Sequence, residues 1–280
     1  MNEAYGATIA KRGLARRLRD LRVEAGYTAN QVCDRLNWGR GKVGRFEANN
    51  WVRPELSDIR DLARIYEGSD LDELEELATR ARQRAWWRDY PDVFDNEFPG
   101  YEGDASSIRV VMPLVIPGLL QTLPYMQALL TSGTRTPEWR EQALRARLRK
   151  QQILDRGDGT EPEVSAVITE ASLMYEWGAP GERRAQLRHL LSMSARQNVE
   201  LRLLRLSDGL HPGMSTLVNI FQFPGGEPSM VFLENDADIQ EIDDPGKVEA
   251  YGESFEEIRA AALSAADTAA HLEKLIATLE

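Results

Sequence analysis

The chain has 280 residues, with 34 lysines and arginines against 45 aspartates and glutamates, and a net charge of −11. Its 42% hydrophobic and 28% charged residues are typical of a folded globular protein and exclude wholesale disorder. At roughly 150 residues per domain, this length predicts one or two domains.

Several features favour a cytoplasmic protein without cofactors. The longest apolar stretch, Val110–Leu120, is interrupted by prolines and is shorter than the ~18 residues of a membrane helix, so we expect no membrane association. Met1–Ala10 lacks the basic start and apolar run of a secretory signal. Cys33 is the only cysteine, which excludes an intrachain disulfide and a zinc finger, and the spacing of the three histidines fits no metal site.

The charge is distributed unevenly along the chain. Between Ile9 and Arg53 there are 11 basic and four acidic residues, a net charge of +7, whereas residues 54–280 carry −17. A basic segment attached to an acidic body is typical of a nucleic-acid-binding module. A solvated basic helix is the alternative that charge alone leaves open.

The basic segment has the pattern of two helices joined by a tight turn. Apolar residues recur at helical spacing at Leu14, Leu18, Leu21 and Ala25. They predict a helix over about 10–25, which Gly26 would end in the left-handed region. Thr28 and Gln31 have the spacing of a capping box that begins a second helix, and Asn37 can end that helix. Two such helices are the supersecondary signature of a DNA-reading unit.

The third predicted helix, about 40–49, is the expected reading helix. Val43 and Phe46 face the predicted core. The remaining surface carries Arg40, Gly41, Lys42, Gly44 and Arg45. Small residues would let the helix lie deep in the major groove, where an arginine can donate two hydrogen bonds to guanine.

Two further helices complete this predicted module. One spans Pro54–Tyr66, has Pro54 at its first position and is followed by Gly68. Ser69 and Asp72 are expected to cap the other, which reaches about Arg84.

Three motifs carry a family resemblance: LRDLR at 18–22, TANQVC at 28–33 and WGRGKVGRFEAN at 38–49. They resemble the phage-repressor (Cro/C1, or Xre) helix-turn-helix family. The resemblance implies that Arg22 pairs with Glu47 and so ties the first helix to the reading helix. It implies that the major groove is contacted by Arg40, Gly41, Lys42, Gly44 and Arg45. It also implies DNA contacts, mostly to phosphates, by Thr28, Asn30, Asn49 and Arg53.

Residues 69–104 are expected to form a connecting helix and an aromatic-rich junction. Arginines surround Trp86 and Trp87, and Tyr90, Phe94 and Phe98 follow. This composition favours packing at a domain junction, and stacking on single-stranded nucleic acid is the alternative.

The segment 105–280 has a mixed α and β pattern. Strands are predicted at 109–112, 164–169, 199–206, 214–223 and 229–234, and a hairpin at 224–228 joins the last two. Helices are predicted at 119–130, 138–154, 182–196, 248–262 and 264–279. The predicted fold class is α+β: an all-α five-helix helix-turn-helix domain followed by a mixed α/β effector domain with a largely antiparallel sheet. The DNA-binding domain is placed at 9–68, so the fifth helix belongs to the connecting segment 69–104.

Four motifs carry a second resemblance: PGLLQT at 117–122 with Tyr125, RLRKQQIL at 147–154, TEASL at 169–173 and VFLE at 231–234. They look like the effector domain that follows such modules in many actinobacterial regulators, described as Scr1-type and antitoxin-like. The resemblance implies a cytoplasmic DNA-binding regulator, often encoded beside a small protein that it binds. Lys150 stands where that family usually has Arg.

Charged residues in or near apolar elements are the predicted effector or partner site: Glu102, Arg147, Glu170 and Glu234. Because burial of an unpaired charge is unfavourable, each is expected to have a partner. The acidic run at 234–244 lacks the glycine and glutamate that an EF-hand requires, so we interpret it as a solvated loop. No hydrolase, metallopeptidase or phosphate-loop motif is present, and we expect no enzyme.

These patterns predict a dimeric, sequence-specific transcriptional regulator of double-stranded DNA with an inverted-repeat operator. Residues 105–280 are expected to form the homodimer and to respond to a small partner protein or ligand. The alternative is an antitoxin-like protein whose main role is binding its small cognate partner, with DNA binding serving autoregulation. A third hypothesis, an enzyme in the second domain, would be favoured only by turnover.

Overall fold

The chain divides into two units, Met1–Arg88 and Asp89–Glu280, and the regular structure in the described part of the first is entirely helical. The structure, a computed structural model, describes residues 7–50, 53–211, 214, 217–235 and 239–279. Within that range the helices of the first unit are α1 (Ala7–Glu24), α2 (Ala29–Arg35), α3 (Lys42–Glu47), α4 (Leu56–Ile65) and α5 (Leu71–Ala81).

The turns around α2 follow from local side-chain and backbone chemistry. Gly26 has a φ of 73° after α1, and Asn37 has a φ of 54° after α2, so both predicted left-handed residues are confirmed. The Thr28 hydroxyl accepts from the backbone N–H of Gln31, and the Gln31 carbonyl oxygen Oε1 accepts from the Thr28 N–H. The predicted capping box is therefore confirmed.

Three helix starts differ from the sequence prediction. Gly41 is the N-cap of α3 with a φ of 84°, so the helix begins at Lys42 rather than near residue 40. Pro54 precedes the N-cap of α4 and is not its first helical residue. Asp70, not Ser69, caps α5, since its carboxylate accepts two backbone N–H groups while the Ser69 hydroxyl donates to the Ala63 carbonyl.

The five helices bury one shared apolar core. Its buried members include Leu14, Leu18, Leu21, Val32, Cys33, Val43, Ile59, Leu62 and Tyr66. Leu74 and Ala78 of α5 are fully buried in the same core. The helix expected to be a connector therefore packs as part of the first unit.

The second unit combines helices with one sheet. Its longer elements are α6 (Phe98–Asp104), β1 (Ser107–Met112), α7 (Leu123–Thr131), α8 (Pro137–Gln151), β2 (Glu163–Thr169), α9 (Ala171–Met174), α10 (Pro180–Ser194), β3 (Val199–Leu204), β4 (Leu217–Gln222), β5 (Met230–Glu234), β6 (Ile239–Ile242), α11 (Pro245–Ala261) and α12 (Ala265–Thr278). The α+β fold class is confirmed.

The sheet is mixed, with strand order β3-β2-β1-β4-β5-β6. β1, β2 and β3 are parallel, and β4, β5 and β6 continue the sheet by antiparallel pairing. Helices α7 and α8 connect β1 to β2, and α10 connects β2 to β3, as parallel strands require. The carboxyl ends of β1, β2 and β3 consequently lie at the same end of the sheet.

The acidic run contains a strand that the sequence analysis missed. Ile239–Ile242 forms β6 and pairs with β5, so the interpretation of 234–244 as one solvated loop is wrong for these residues. Asp236 and Asp238 of that run lie outside the described residues. The predicted hairpin between β4 and β5 is confirmed, and the start of its first strand at 214–216 lies largely outside the description.

Helices cover both faces of the sheet. Phe255 and Ile258 of α11 pack with Val111, Ile220 and Val231 on one face. On the other face, α6 contributes an aromatic cluster with ring centroids 5.0–6.0 Å apart, formed by Phe98, Tyr101, Phe221, Phe223 and Phe232. Phe98 and Tyr101 are thus core residues and cannot stack on nucleic acid.

The edge of β3 is also covered. The backbone N–H of Leu203 donates to the buried Thr268 hydroxyl of α12 at 3.1 Å, and the Leu263 N–H donates to the Leu203 carbonyl at 2.9 Å. These bonds satisfy backbone groups that an open edge would leave free. Among the described residues, none of the helices is long and apolar enough to cross a membrane.

Candidate nucleic-acid interface and effector site

The outer surface of α3 is the candidate DNA-reading surface. Val43 and Phe46 are buried and fix the helix on the core of the first unit. Arg45 points away from that core and is exposed. Gly44 beside it has no atom within 4 Å of the position that a Cβ would occupy, so this glycine leaves an open surface rather than accommodating an internal neighbour.

Gly41 has a different role from Gly44. Its left-handed φ of 84° is a conformation that L-residues with side chains rarely adopt. The glycine is therefore explained by the backbone turn into α3, not by proximity to DNA. Arg40 immediately precedes it and is exposed, which places its side chain just before the start of α3.

Lys42 is directed toward the protein itself. Its Nζ lies 2.8 Å from Asp58 Oδ1 of α4 and 3.9 Å from the centroid of the Trp38 ring. The side chains of Lys42 and Asp58 are 27% and 17% exposed. This contact joins the first turn of α3 to α4, and it directs the ammonium away from the role that the family resemblance implies.

Arg22 and Glu47 form a two-point ion pair. Arg22 Nε donates to Glu47 Oε1 at 2.6 Å, and Nη2 donates to Oε2 at 2.8 Å. The third nitrogen of the guanidinium donates to the Tyr27 carbonyl at 2.6 Å. The bond to Glu47 raises the pKa of Arg22. Because both side chains are largely buried, the pair ties α1 and the turn before α2 to the end of α3.

The other predicted DNA contacts lie in α2 or in the segments that flank α2 and α3. Asn30 and Arg53 are exposed. The Thr28 side chain is also exposed, but its hydroxyl is occupied by the capping box. Asn49 has a φ of 56° just after α3. Exposed polar groups at helix ends are typical phosphate contacts, which position a protein without reading sequence.

A buried ion pair lies beneath the sheet in the second unit. Glu102 Oε2 is 2.9 Å from Lys150 Nζ, and the two side chains are 8% and 17% exposed. The Lys150 ammonium also lies 4.9 Å from the centroid of the Phe98 ring. Burial raises the pKa of Glu102, and the nearby lysine opposes this shift. Lys150 is thus the partner that the sequence analysis expected for Glu102 but did not identify.

Arg147 and Glu234 belong to the same charged cluster. Arg147 Nη1 donates to Gln121 Oε1 at 3.2 Å. Burial lowers the pKa of Arg147, and the Glu234 carboxylate opposes that change. Glu234 also raises the pKa of Glu102 and accepts a hydrogen bond from Asn219. Three of the four predicted effector-site residues are therefore close together.

Glu170 lies apart from this cluster. Its Oε1 is 3.1 Å from His271 Nε2, and its Oε2 accepts from the Leu206 N–H at 2.9 Å. The carboxylate thus connects the end of β2 to α12 and to the loop after β3. The four predicted residues do not form a single site.

The side chains of three glutamines hydrogen-bond to the backbone in or just before the PGLLQT segment. The sequence analysis assigned this motif no structural role. Gln121 Nε2 donates to the Ile116 carbonyl at 2.7 Å. Gln186 of α10 donates to the Leu120 carbonyl and accepts from the Thr122 N–H. Gln151 donates to two carbonyls of the same segment. The motif therefore fixes the connection after β1 to α8 and α10.

Two family models match the chain. A Helix-turn-helix domain matches residues 14–77, and a Domain of unknown function (DUF5753) matches residues 96–274. No curated protein and no solved structure matches it significantly. The first match agrees with the geometry of α1–α5 and supports DNA binding by this unit.

Proposed function

We propose that this chain, which belongs to the DUF5753 family and carries a helix-turn-helix domain ahead of the family region, is a sequence-specific DNA-binding transcriptional regulator. The observation that carries the proposal is the outer surface of α3. Arg45 is exposed beside the open backbone of Gly44, while Val43 and Phe46 hold the opposite side in the core. Such a surface fits the major groove, where arginine recognises guanine.

The finer features of the proposal come from the resemblance to Xre (Cro/C1-type) regulators and Scr1-type effector domains. The protein acts as a homodimer on an inverted repeat, and the second unit modulates it in response to a small partner protein or ligand. The buried cluster around Glu102 and Lys150 supports a structural role for these charges in that unit. We expect no catalytic activity.

An antitoxin-like role is the second candidate function. In that role the second unit mainly captures a small cognate partner, and DNA binding regulates the protein's own gene. The exposed apolar side chains of the second unit favour a protein-binding task. Sequencing of DNA bound in the cell distinguishes the two roles, since autoregulation predicts a single site next to the gene.

Substitution of Arg45 tests the reading helix. We expect Arg45→Ala to weaken operator binding by about 1–3 kcal/mol and to relax preference at one base position, because one arginine–guanine contact supplies that discrimination. The control is Arg64→Ala on α4, an exposed arginine paired with Asp61 within its own helix. Selection of bound sequences from a random DNA library gives both readouts. Equal affinity and unchanged preference in Arg45→Ala would reject α3 as the reader.

A further inference from the structure

Exposed apolar side chains are concentrated at the end of the sheet where the parallel strands β1, β2 and β3 terminate. The connections that follow β1, β2 and β3 contain large apolar residues that are 43–91% exposed, including Leu210 and Met214 later in the loop after β3. We call the other five the apolar rim: Leu114, Leu123, Met174, Tyr175 and Leu206. Since the three strands are parallel, their connections begin at the same edge, which is where ligands bind in many sheets of this kind.

Hydrogen bonds hold these connections against one another. The Thr169 hydroxyl at the end of β2 donates to the Pro113 carbonyl after β1. The Glu170 N–H donates to the Leu204 carbonyl at 2.8 Å, and the Glu170 carboxylate accepts from the Leu206 N–H. The connections that carry the apolar rim are therefore fixed relative to one another.

A cavity of about 200 Å³ opens beside the rim. Its apolar lining includes Ile116, Tyr175, Trp177, Leu187, Leu275 and Leu279. Trp177 is held by Tyr125 of α7, with ring centroids 5.0 Å apart at an interplanar angle of 89°. The cavity is smaller than the roughly 300–1,000 Å³ typical of drug-sized ligands. A single bulky side chain inserted from a partner, as at the centre of many interfaces, suits it better.

Charge indicates which partner suits this surface. The second unit carries 17 basic and 31 acidic residues, a net charge of −14. This charge repels nucleic acid, whereas it attracts a basic polypeptide. The cavity lining holds two charged residues: Glu176 is exposed, whereas Arg183 is half-buried and donates to the Trp177 carbonyl.

We propose that the apolar rim and its cavity bind a basic polypeptide segment that inserts one bulky apolar side chain. The inference rests on the proposed function, because it supplies the surface through which a protein partner reaches the second unit. It also links this site to the sheet: the segment would contact the connections of all three parallel strands.

Selection of random peptides displayed on phage against the full chain tests the inference. We expect enriched peptides to carry a Trp, Phe or Leu flanked by Lys or Arg. Their affinity, measured by fluorescence anisotropy, should fall at least ~tenfold in the double variant Met174→Glu/Leu206→Glu, because it places charge on the two most exposed rim residues. Leu148→Glu, at an exposed apolar residue of α8 in the same unit, is the matched control and should leave affinity unchanged.

Several results would overturn the inference: no enrichment, enriched peptides without an apolar anchor, or equal binding to the rim variant. Light scattering of the rim variant completes the test, since dissociation of an oligomer would show that a second copy covers the rim. Operator binding by the same samples is measured in parallel. Intact operator binding with no rim-dependent peptide rejects only this inference, whereas loss of operator binding by the wild type rejects the proposed function.

Discussion

Lys42 lies on α3, but its charge is directed into the first unit. Its ammonium contacts Asp58 and the Trp38 ring, while Arg40 and Arg45 on either side are exposed. A helical-wheel projection that begins near residue 40 cannot distinguish the inward Lys42 from the exposed arginines, because it treats Arg40 and Gly41 as helical. The left-handed Gly41 sets the true start of α3, and with it the direction of every side chain that follows.

We expect Lys42→Met to leave the salt dependence of DNA binding unchanged and to destabilise the first unit by no more than ~1 kcal/mol, since the ion pair is partly exposed. Arg53→Ala, at an exposed arginine, should instead weaken binding to all sequences and reduce the salt slope by about 1. Anisotropy titrations over a series of salt concentrations compare the two. A flattened slope in Lys42→Met would mean that the ammonium leaves Asp58 for a phosphate.

The ion pair of Arg22 and Glu47 joins helix α1 to helix α3 across the turn that begins α2. Glu47→Ala leaves a largely buried guanidinium without its carboxylate. We therefore expect the free energy of local opening of α1 and α3 to fall by about 2–3 kcal/mol. Hydrogen exchange of the full chain, read on peptides from these helices, measures the loss. Arg64→Ala, which breaks an exposed pair, is the control and should change it little.

Arg22→Ala and the double variant Arg22→Ala/Glu47→Ala complete a double-mutant cycle with Glu47→Ala. If the two residues act as one contact, the loss in the double variant should be clearly smaller than the sum of the single losses. Additive losses would show that the pair does not couple the two helices.

Glu200 links β3 to α11 through charge. It accepts from Arg259 at 2.6 and 3.0 Å, from Arg202 and from the Ser165 hydroxyl, and the bond to Arg259 is the main reason that its pKa falls to about 2. A carboxylate with a depressed pKa stabilises the fold above its ordinary value of 4.5, and this contribution is lost as pH falls toward 2.

Glu200→Gln should therefore lower the melting temperature of the second unit near neutral pH and make it less dependent on pH between about 4.5 and 2. Calorimetry of the full chain over this range measures the change. Glu253→Gln, at an exposed residue of α11, is the control. A variant that keeps the wild-type acid dependence would assign that dependence to other carboxylates.

The elements that sequence predicted best are those whose own pattern determines them. Gly26, Thr28 and Asn37 act through local backbone chemistry, so their positions follow from sequence alone. Helix α6, FPGYEGD, contains proline and two glycines, and the packing of Phe98 and Tyr101 on β4 and β5 holds it. Such a helix, like strand β6 within an acidic run, depends on distant partners that no local pattern reveals.

The same limit applies to the candidate sites. Glu102 and Arg147 were recognisable as charges among apolar residues, but the partner Lys150 and the separation of Glu170 depend on how α8 and β2 pack in the second unit.

At the scale of the whole chain, the two units differ in charge and in exposed apolar surface. In the described part of the first unit only Val23 and Leu71 are large exposed apolar residues, whereas the second unit has the apolar rim.

We expect the first unit to contact DNA and the second unit to form the dimer. A lone helix-turn-helix reads a short half-site, and two half-sites about 34 Å apart need two such units related by symmetry. The apolar residues of the first unit are largely used in its own core, so we expect the second unit to provide the dimer. Phe255, Ile258 and Leu272 of the terminal helices are buried within that unit and are not available for the contact.

A fragment of residues 89–280 should be dimeric in light scattering without DNA, and residues 1–88 should be monomeric. The smaller fragment should bind an inverted repeat at least ~100-fold more weakly than the full chain, because it lacks the effective concentration that a dimer gives to the second half-site. The Met174→Glu/Leu206→Glu variant should remain dimeric, since the rim is assigned to another partner. A monomeric 89–280 fragment, or gel shifts in which 1–88 matches the full chain, would place the dimer contact in the first unit or on the DNA itself.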